Sequence, residues 1–151
     1  MSVVFCEFFI PLYGYKCIHT CGTKIILRNM AQDKYTLREV KLGDKQLERE
    51  FINLPKRLYR NEPNWVCPMD SSIKAVFDPK KNKLFQDGEA IRWVAFDKEG
   101  RCVGRIAAFY DNVHAYAYEQ PTGGCGFFEA ENDQELANLL FDAALNWLKE
   151  R

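Results

Sequence analysis

The sequence lacks a surplus of either charge. Lys+Arg and Asp+Glu number 21 each, for a formal net charge of zero. A protein whose main partner is a nucleic acid usually carries a basic excess, so no nucleic-acid partner is expected. The sequence also lacks a long hydrophobic run. Pro11 and Gly14 break the apolar start, well short of the roughly 20 residues that a membrane span needs. That start carries Glu7 and no Lys or Arg ahead of its apolar stretch, so the basic n-region of a signal peptide is missing. Cys6, Cys17, Cys21, Cys67, Cys102 and Cys125 form no Cys-x-x-Cys pair, which excludes a zinc ribbon and a thioredoxin motif. Scattered cysteines without an export signal read as reduced thiols, so a cytoplasmic location and no membrane partner are expected. No internal repeat or low-complexity tract occurs.

What is present is an ordinary globular composition. Apolar residues make up 47% and aromatics 14% of 151 residues, enough for one domain with a real core. Residues 1–29 differ from the rest. They hold aromatics and cysteines with no sustained period of 2 or 3.6. Residues 30–151 carry a net charge of −2, because Lys16, Lys24 and Arg28 leave with the first stretch against Glu7 alone. The expected organisation is an atypical extension over 1–29, with Met30 the true start, and a domain over 30–151. Cys17, His19 and Cys21 could begin a metal site. Tetrahedral zinc needs a fourth ligand that nothing nearby supplies, so no metal site is expected.

From Tyr35 the chain reads as alternating elements. Tyr35 to Val40 is a strand of β-formers. Asp44 is placed to cap a helix bearing Leu47, Phe51 and Leu54 on one face, and Pro55 suits the first turn of a further helical segment. Trp65, between Pro63 and Pro68, is expected to pack a two-proline loop. Asp70 opens a short helix over Ile73 to Phe77. Asp78 to Lys83 is a turn whose lysines, Lys80, Lys81 and Lys83, read either as an anion contact or as a solvated run. Ala90 to Phe96 and Arg101 to Tyr110 form a hairpin about Asp97-Lys98-Glu99-Gly100, and Gly104 marks a bulge or a close backbone approach. Val113 to Tyr118 alternates as another strand. Gly126 to Glu129 is a buried strand leading through an acidic turn into a helix from Gln134 to Arg151. Its apolar face runs through Leu136, Leu139, Leu140, Ala143, Ala144, Trp147 and Leu148. Asn132 and Glu135 have capping-box spacing.

Leu54-Pro55-Lys56-Arg57-Leu58-Tyr59, Pro63-Asn64-Trp65-Val66, Asp78-Pro79-Lys80-Lys81-Asn82, Val103-Gly104-Arg105-Ile106-Ala107-Ala108 and Gly126-Phe127-Phe128-Glu129 with Asn132-Asp133 carry a resemblance. Together they resemble the N-terminal half of a GCN5-related N-acetyltransferase (GNAT) domain, within a poorly characterised bacterial branch. The resemblance implies an α+β fold: a mainly antiparallel twisted sheet flanked by helices, truncated after the helix that follows strand four. It implies acetyl-CoA or another acyl-CoA as cofactor. By position, Phe127, Phe128, Glu129, Asn132, Asp133 and Gln134 would bind it, and Glu129 would be the general base that deprotonates the acceptor amine. Tyr110 and His114 are candidates for contact with the acceptor substrate.

Competing readings stand beside these. The turn from Glu129 to Glu135 is acidic and glycine-free, unlike a pyrophosphate loop; its carboxylates equally suit a helix N-cap. Glu129 could be a structural carboxylate and His114 a half-exposed strand residue. With the fifth strand absent, the function implied is that of a truncated N-acyltransferase domain, inactive alone. The alternative is a non-catalytic interaction module that self-associates through an open sheet edge beside strand four. An RNA-binding sheet is a distant third reading.

Overall fold

The computed structural model describes residues 8–11, 34–117, 119 and 121–151, the first four by backbone alone. Cys17, His19, Cys21, Met30 and Tyr118 lie outside the described residues. The fold is α+β. Strands β1 (Phe8–Pro11), β2 (Thr36–Glu39), β3 (Gly88–Phe96), β4 (Cys102–Asp111) and β5 (Thr122–Ala130) form one open sheet in the order β1-β5-β4-β3-β2. Every pairing is antiparallel. Helices α1 (Lys45–Leu58) and α2 (Asp70–Val76) cover one face and α4 (Gln134–Lys149) the other; α3 (Asn112–Ala115) is a single turn at the end of β4.

The alternation of β4 builds both cores. Ile106 and Ala108 face α4 and join Leu136, Leu140, Ala144 and Leu148. Cys102 and Ala107 face α1 and join Phe51, Leu54 and Phe77. Gly104 belongs to the α4 face, where an added Cβ would meet Leu140 Cδ1 at 2.8 Å. The register shifts beside it, with Ala95 opposite Gly104 and Phe96 opposite Cys102. The close approach and the bulge expected of Gly104 are both present. The hairpin turns at Gly100, with φ +77°.

β1 pairs antiparallel with the start of β5, Phe8 opposite Cys125 and Pro11 opposite Thr122, and so covers Thr122–Cys125 but not Gly126–Glu129, beside which the open edge was expected. Three sequence expectations need correction. Residues 113–117 form no strand: the Asp111 carboxylate accepts the His114 amide at 3.0 Å and starts the α3 turn instead. No second helix begins at Pro55, because α1 continues through it to Leu58. The cap of α4 is Asp133, one residue after Asn132. A 3₁₀ turn at Lys83–Gln86, capped by Asn82, was not anticipated.

Candidate functional site

The strand-to-helix passage at the end of β5 was expected to hold the chemistry. It departs from regular sheet at Phe127, whose φ is +54°. Arg105 pairs with Glu129 and Ala107 with Gly126, so β5 carries an extra residue opposite Ile106. This bulge turns Phe127 toward Phe51 and Phe77, at 5.8 and 5.2 Å between ring centroids. Phe128 points to the other face and lies 4.5 Å from Phe141 of α4.

Glu129 Oε2 accepts a hydrogen bond from Arg105 Nε at 2.5 Å. The Arg105 side chain is only 3% exposed, against 18% for Glu129. Arg105 Nη1 donates to the Phe51 carbonyl at 2.5 Å. Pro55 explains why that carbonyl is available. Within a helix the Phe51 oxygen would accept the amide four residues on, and proline has none. The Arg105 guanidinium also stacks on Phe51, at 4.6 Å. A carboxylate held this way neutralises a buried cation, which is a complete structural duty. Burial, with some help from Glu129, raises the Tyr59 hydroxyl above its ordinary pKa, against the opposing effect of Arg105.

Asp133 caps α4. Its Oδ1 accepts the amides of Glu135 and Leu136 at 2.9 and 3.1 Å. Its Oδ2 receives Lys34 Nζ at 2.5 Å. The Lys34 bond, then the Leu136 amide, hold its carboxyl down at about 2. The two amides that would greet an anionic ligand at this helix start are thus already engaged by an anion of the chain itself. Asn132 and Gln134 are exposed, and Gln134 bonds Asn138 within the helix at 3.0 Å. His114 is exposed, with Nδ1 2.7 Å from Asp111 Oδ1. Burial raises the Asp111 carboxyl, but the His114 amide and ring outweigh it and leave it below the ordinary value. Tyr110 packs on Trp147 at 5.9 Å.

A cavity of 320 Å³ opens between the sheet and the segment running from α2 through the 3₁₀ turn. Its apolar walls are Val76, Phe77, Leu84, Phe85, Phe109 and Phe127, with Asn82, Glu89 and Asp111 supplying polar atoms. Gly88 and Gly126 are also among its walls, and a third glycine seats Phe109. An added Cβ at Gly124 would meet the Phe109 ring at 2.7 Å, so small residues on β5 let that ring lie across the strand. Two of the expected site residues, Tyr110 and Phe127, line this cavity. Glu129, Asn132, Asp133, Gln134 and His114 are not among its walls. The sequence carried little signal for it: Gly126, on its wall, reads only as the start of the buried strand. Among the described residues no group of three potential ligands gathers into a metal site, and no helix is long and apolar enough to cross a membrane.

No protein-family model and no solved structure matches the chain. Two curated relatives do. It is 37% identical over 108 residues to the bacterial ceramide synthase of Caulobacter vibrioides, and 34% identical over 107 residues to protein YghO of Escherichia coli. Each match covers 68% of this chain; the chain spans 27% of the first relative and 26% of the second. These relatives overturn the GNAT assignment and the acyl-CoA-dependent N-acyltransfer read from it. The acetyl-CoA expectation came with that resemblance and has no separate support. The residues that carried it have duties in the fold: Pro55 frees a carbonyl for Arg105, Asp78 accepts the Lys81 and Asn82 amides in its turn, and Gly104 admits Leu140. What the chain is similar to is a quarter of a bacterial ceramide synthase, over most of its own length.

Proposed function

We propose that this chain is a lipid-binding unit of a ceramide-synthase-like protein, holding a hydrocarbon chain of a long-chain lipid. The observation that carries the proposal is the apolar cavity between the sheet and the α2 segment. Its 320 Å³ admits about ten groups of water or methylene size, at about 30 Å³ each, and falls at the lower end of small-molecule sites. The relative named a ceramide synthase supports a lipid ligand, since ceramides carry long hydrocarbon chains. In this reading Phe127 touches the lipid, and Glu129 holds Arg105, whose guanidinium lies 5.6 Å from the Phe127 ring. A cytoplasmic location stays part of the reading, supported by free thiols at Cys67, Cys102 and Cys125.

A series of straight-chain alcohols tests it by calorimetry. Affinity should climb with each methylene, by up to about 0.8 kcal/mol apiece, until the cavity is full. Ala90→Leu, which fills the cavity from β3, should flatten the series. Affinities independent of chain length would sink the proposal.

A further inference from the structure

The stretch joining α2 to the 3₁₀ turn carries cations that no carboxylate answers. Lys80, Lys81 and Lys83 are exposed, and among the described residues none of them enters an ion pair. Three lysines against Asp78 alone give residues 78–83 a net charge of +2. Asp78 is spent on the backbone: its Oδ1 accepts the Lys80 amide at 2.9 Å, and its carbonyl accepts the Lys81 and Asn82 amides. The turn is thus built locally and leaves the three ammonium groups to solvent.

The same segment presents apolar side chains to water. Val76 is 38% exposed and Leu84 56%, yet both are walls of the 320 Å³ cavity. A side chain that lines a cavity and also meets solvent stands at its mouth. Asn82 holds this pair side by side: its Nδ2 donates to the Val76 carbonyl at 2.9 Å, and its Oδ1 accepts the Leu84 amide at 3.1 Å. Lys81 and Lys83 flank Asn82 in the chain, so the cations border the apolar pair. Carboxylates on the strand side of the cavity have partners of their own. Glu89 receives Arg151 Nε at 2.9 Å, Asp111 Oδ1 lies 2.7 Å from His114 Nδ1, and Asp87 accepts the Asn112 side chain at 3.1 Å.

We propose that this rim is a docking surface for an anionic lipid bilayer. The lysines contact headgroup phosphates, and Val76 and Leu84 enter the apolar boundary beneath them. The proposal rests on reading the cavity as a lipid site. A long-chain lipid avoids water, so its shortest way into the cavity is through a mouth pressed against the bilayer. This contact needs no spanning helix; shallow apolar groups and a few cations suffice. A nucleic acid would meet the lysines but leave Val76 and Leu84 in water, whereas a bilayer satisfies both. Each lysine at an anionic surface is worth about fivefold in affinity.

Co-sedimentation of the 151-residue chain with vesicles tests the proposal, with neutral phosphatidylcholine vesicles set against vesicles that also contain phosphatidylglycerol. Wild type should bind the anionic vesicles about tenfold or more tighter, and the affinity should fall as salt rises. Lys80→Gln, Lys81→Gln and Lys83→Gln together should abolish that preference. The control pair Lys98→Gln and Lys149→Gln, at exposed lysines elsewhere, should keep it. Leu84→Ser should weaken binding several-fold and leave the salt dependence intact. All these side chains are exposed, so circular dichroism should be unchanged. No binding to anionic vesicles, or a preference that survives the triple variant, overturns the docking surface. Binding that Leu84→Ser leaves unchanged, or lysine-dependent binding of a DNA duplex as tight as that of vesicles, shows a plain anion patch and overturns the bilayer assignment. The alcohol series needs no vesicles and separates the two readings. Alcohol binding without vesicle binding leaves the cavity and removes the docking surface; vesicle binding without alcohol binding does the reverse.

Discussion

At the scale of single residues, the side chains expected to do chemistry are held in structural pairs. Asp133 is the plainest case. The sequence showed an acidic turn before a helix, which left a ligand site and a cap both open. The geometry gives the carboxylate two amides and Lys34. Its folded pKa, about 2, lies below the ordinary 3.8. A depressed carboxyl adds stability that is complete above its unfolded value, and that stability is lost as pH falls toward the folded one. Thermal melts should therefore show a loss between about pH 4 and pH 2 that Asp133→Asn diminishes, since asparagine keeps the cap oxygen and loses the charge. An identical acid profile in the variant would contradict this. Glu129 is the second case. Glu129→Gln keeps the shape and removes the charge opposite Arg105, which is 3% exposed. Denaturant unfolding should show a loss of about 1–3 kcal/mol, the cost of weakening a charged pair that still has a polar partner. A stability equal to wild type would free Glu129 from its structural role. Neither pairing was legible, because Lys34 and Asp133 are 99 residues apart and Arg105 and Glu129 are 24 apart.

At the scale of elements, local signals were readable and long-range ones were not. The repeat of α4, the Asp44 cap and the Gly100 turn each follow from neighbours a few residues away, and each is present. The turn at Asn112–Ala115 was missed because the period of two in 113–118 competed with the cap from Asp111, and the cap prevailed. The β1–β5 pairing was missed because no local pattern reports a partner more than a hundred residues away. Packing between β4 and α4 allows a sharper statement. Gly104→Ala would place its Cβ 2.8 Å from Leu140 Cδ1 and 3.3 Å from Leu136 Cδ1. We expect an overpacking cost of about 1–3 kcal/mol in urea unfolding. Combined with Leu140→Ala, the two costs should fall short of their sum, because each change relieves the other. Strict additivity would show that Leu140 does not meet position 104.

At the scale of the whole molecule, one sheet separates two cores, and the cavity lies on the α1–α2 face. A ligand that binds only the folded chain must raise its melting temperature. The alcohols proposed above should therefore stabilise wild type in step with their affinity, and Ala90→Leu should respond less. What the sequence by itself determined is what repeats or caps locally: the α+β class, the amphipathic α4, the β3–β4 hairpin and the tight place at Gly104. What only the tertiary structure decided is which groups meet. Pro55 could be read as a helix start, yet its consequence is a carbonyl left free for Arg105 on another strand. Gly124 carries no local signal, yet its missing Cβ clears space for the Phe109 ring. Lys80, Lys81 and Lys83 could be read as a solvated run, yet Asn82 sets their turn beside Val76 and Leu84 at a cavity. Periodicity and capping act over a few residues, whereas a buried charge or a cavity is a property of surfaces brought together from distant parts of the chain.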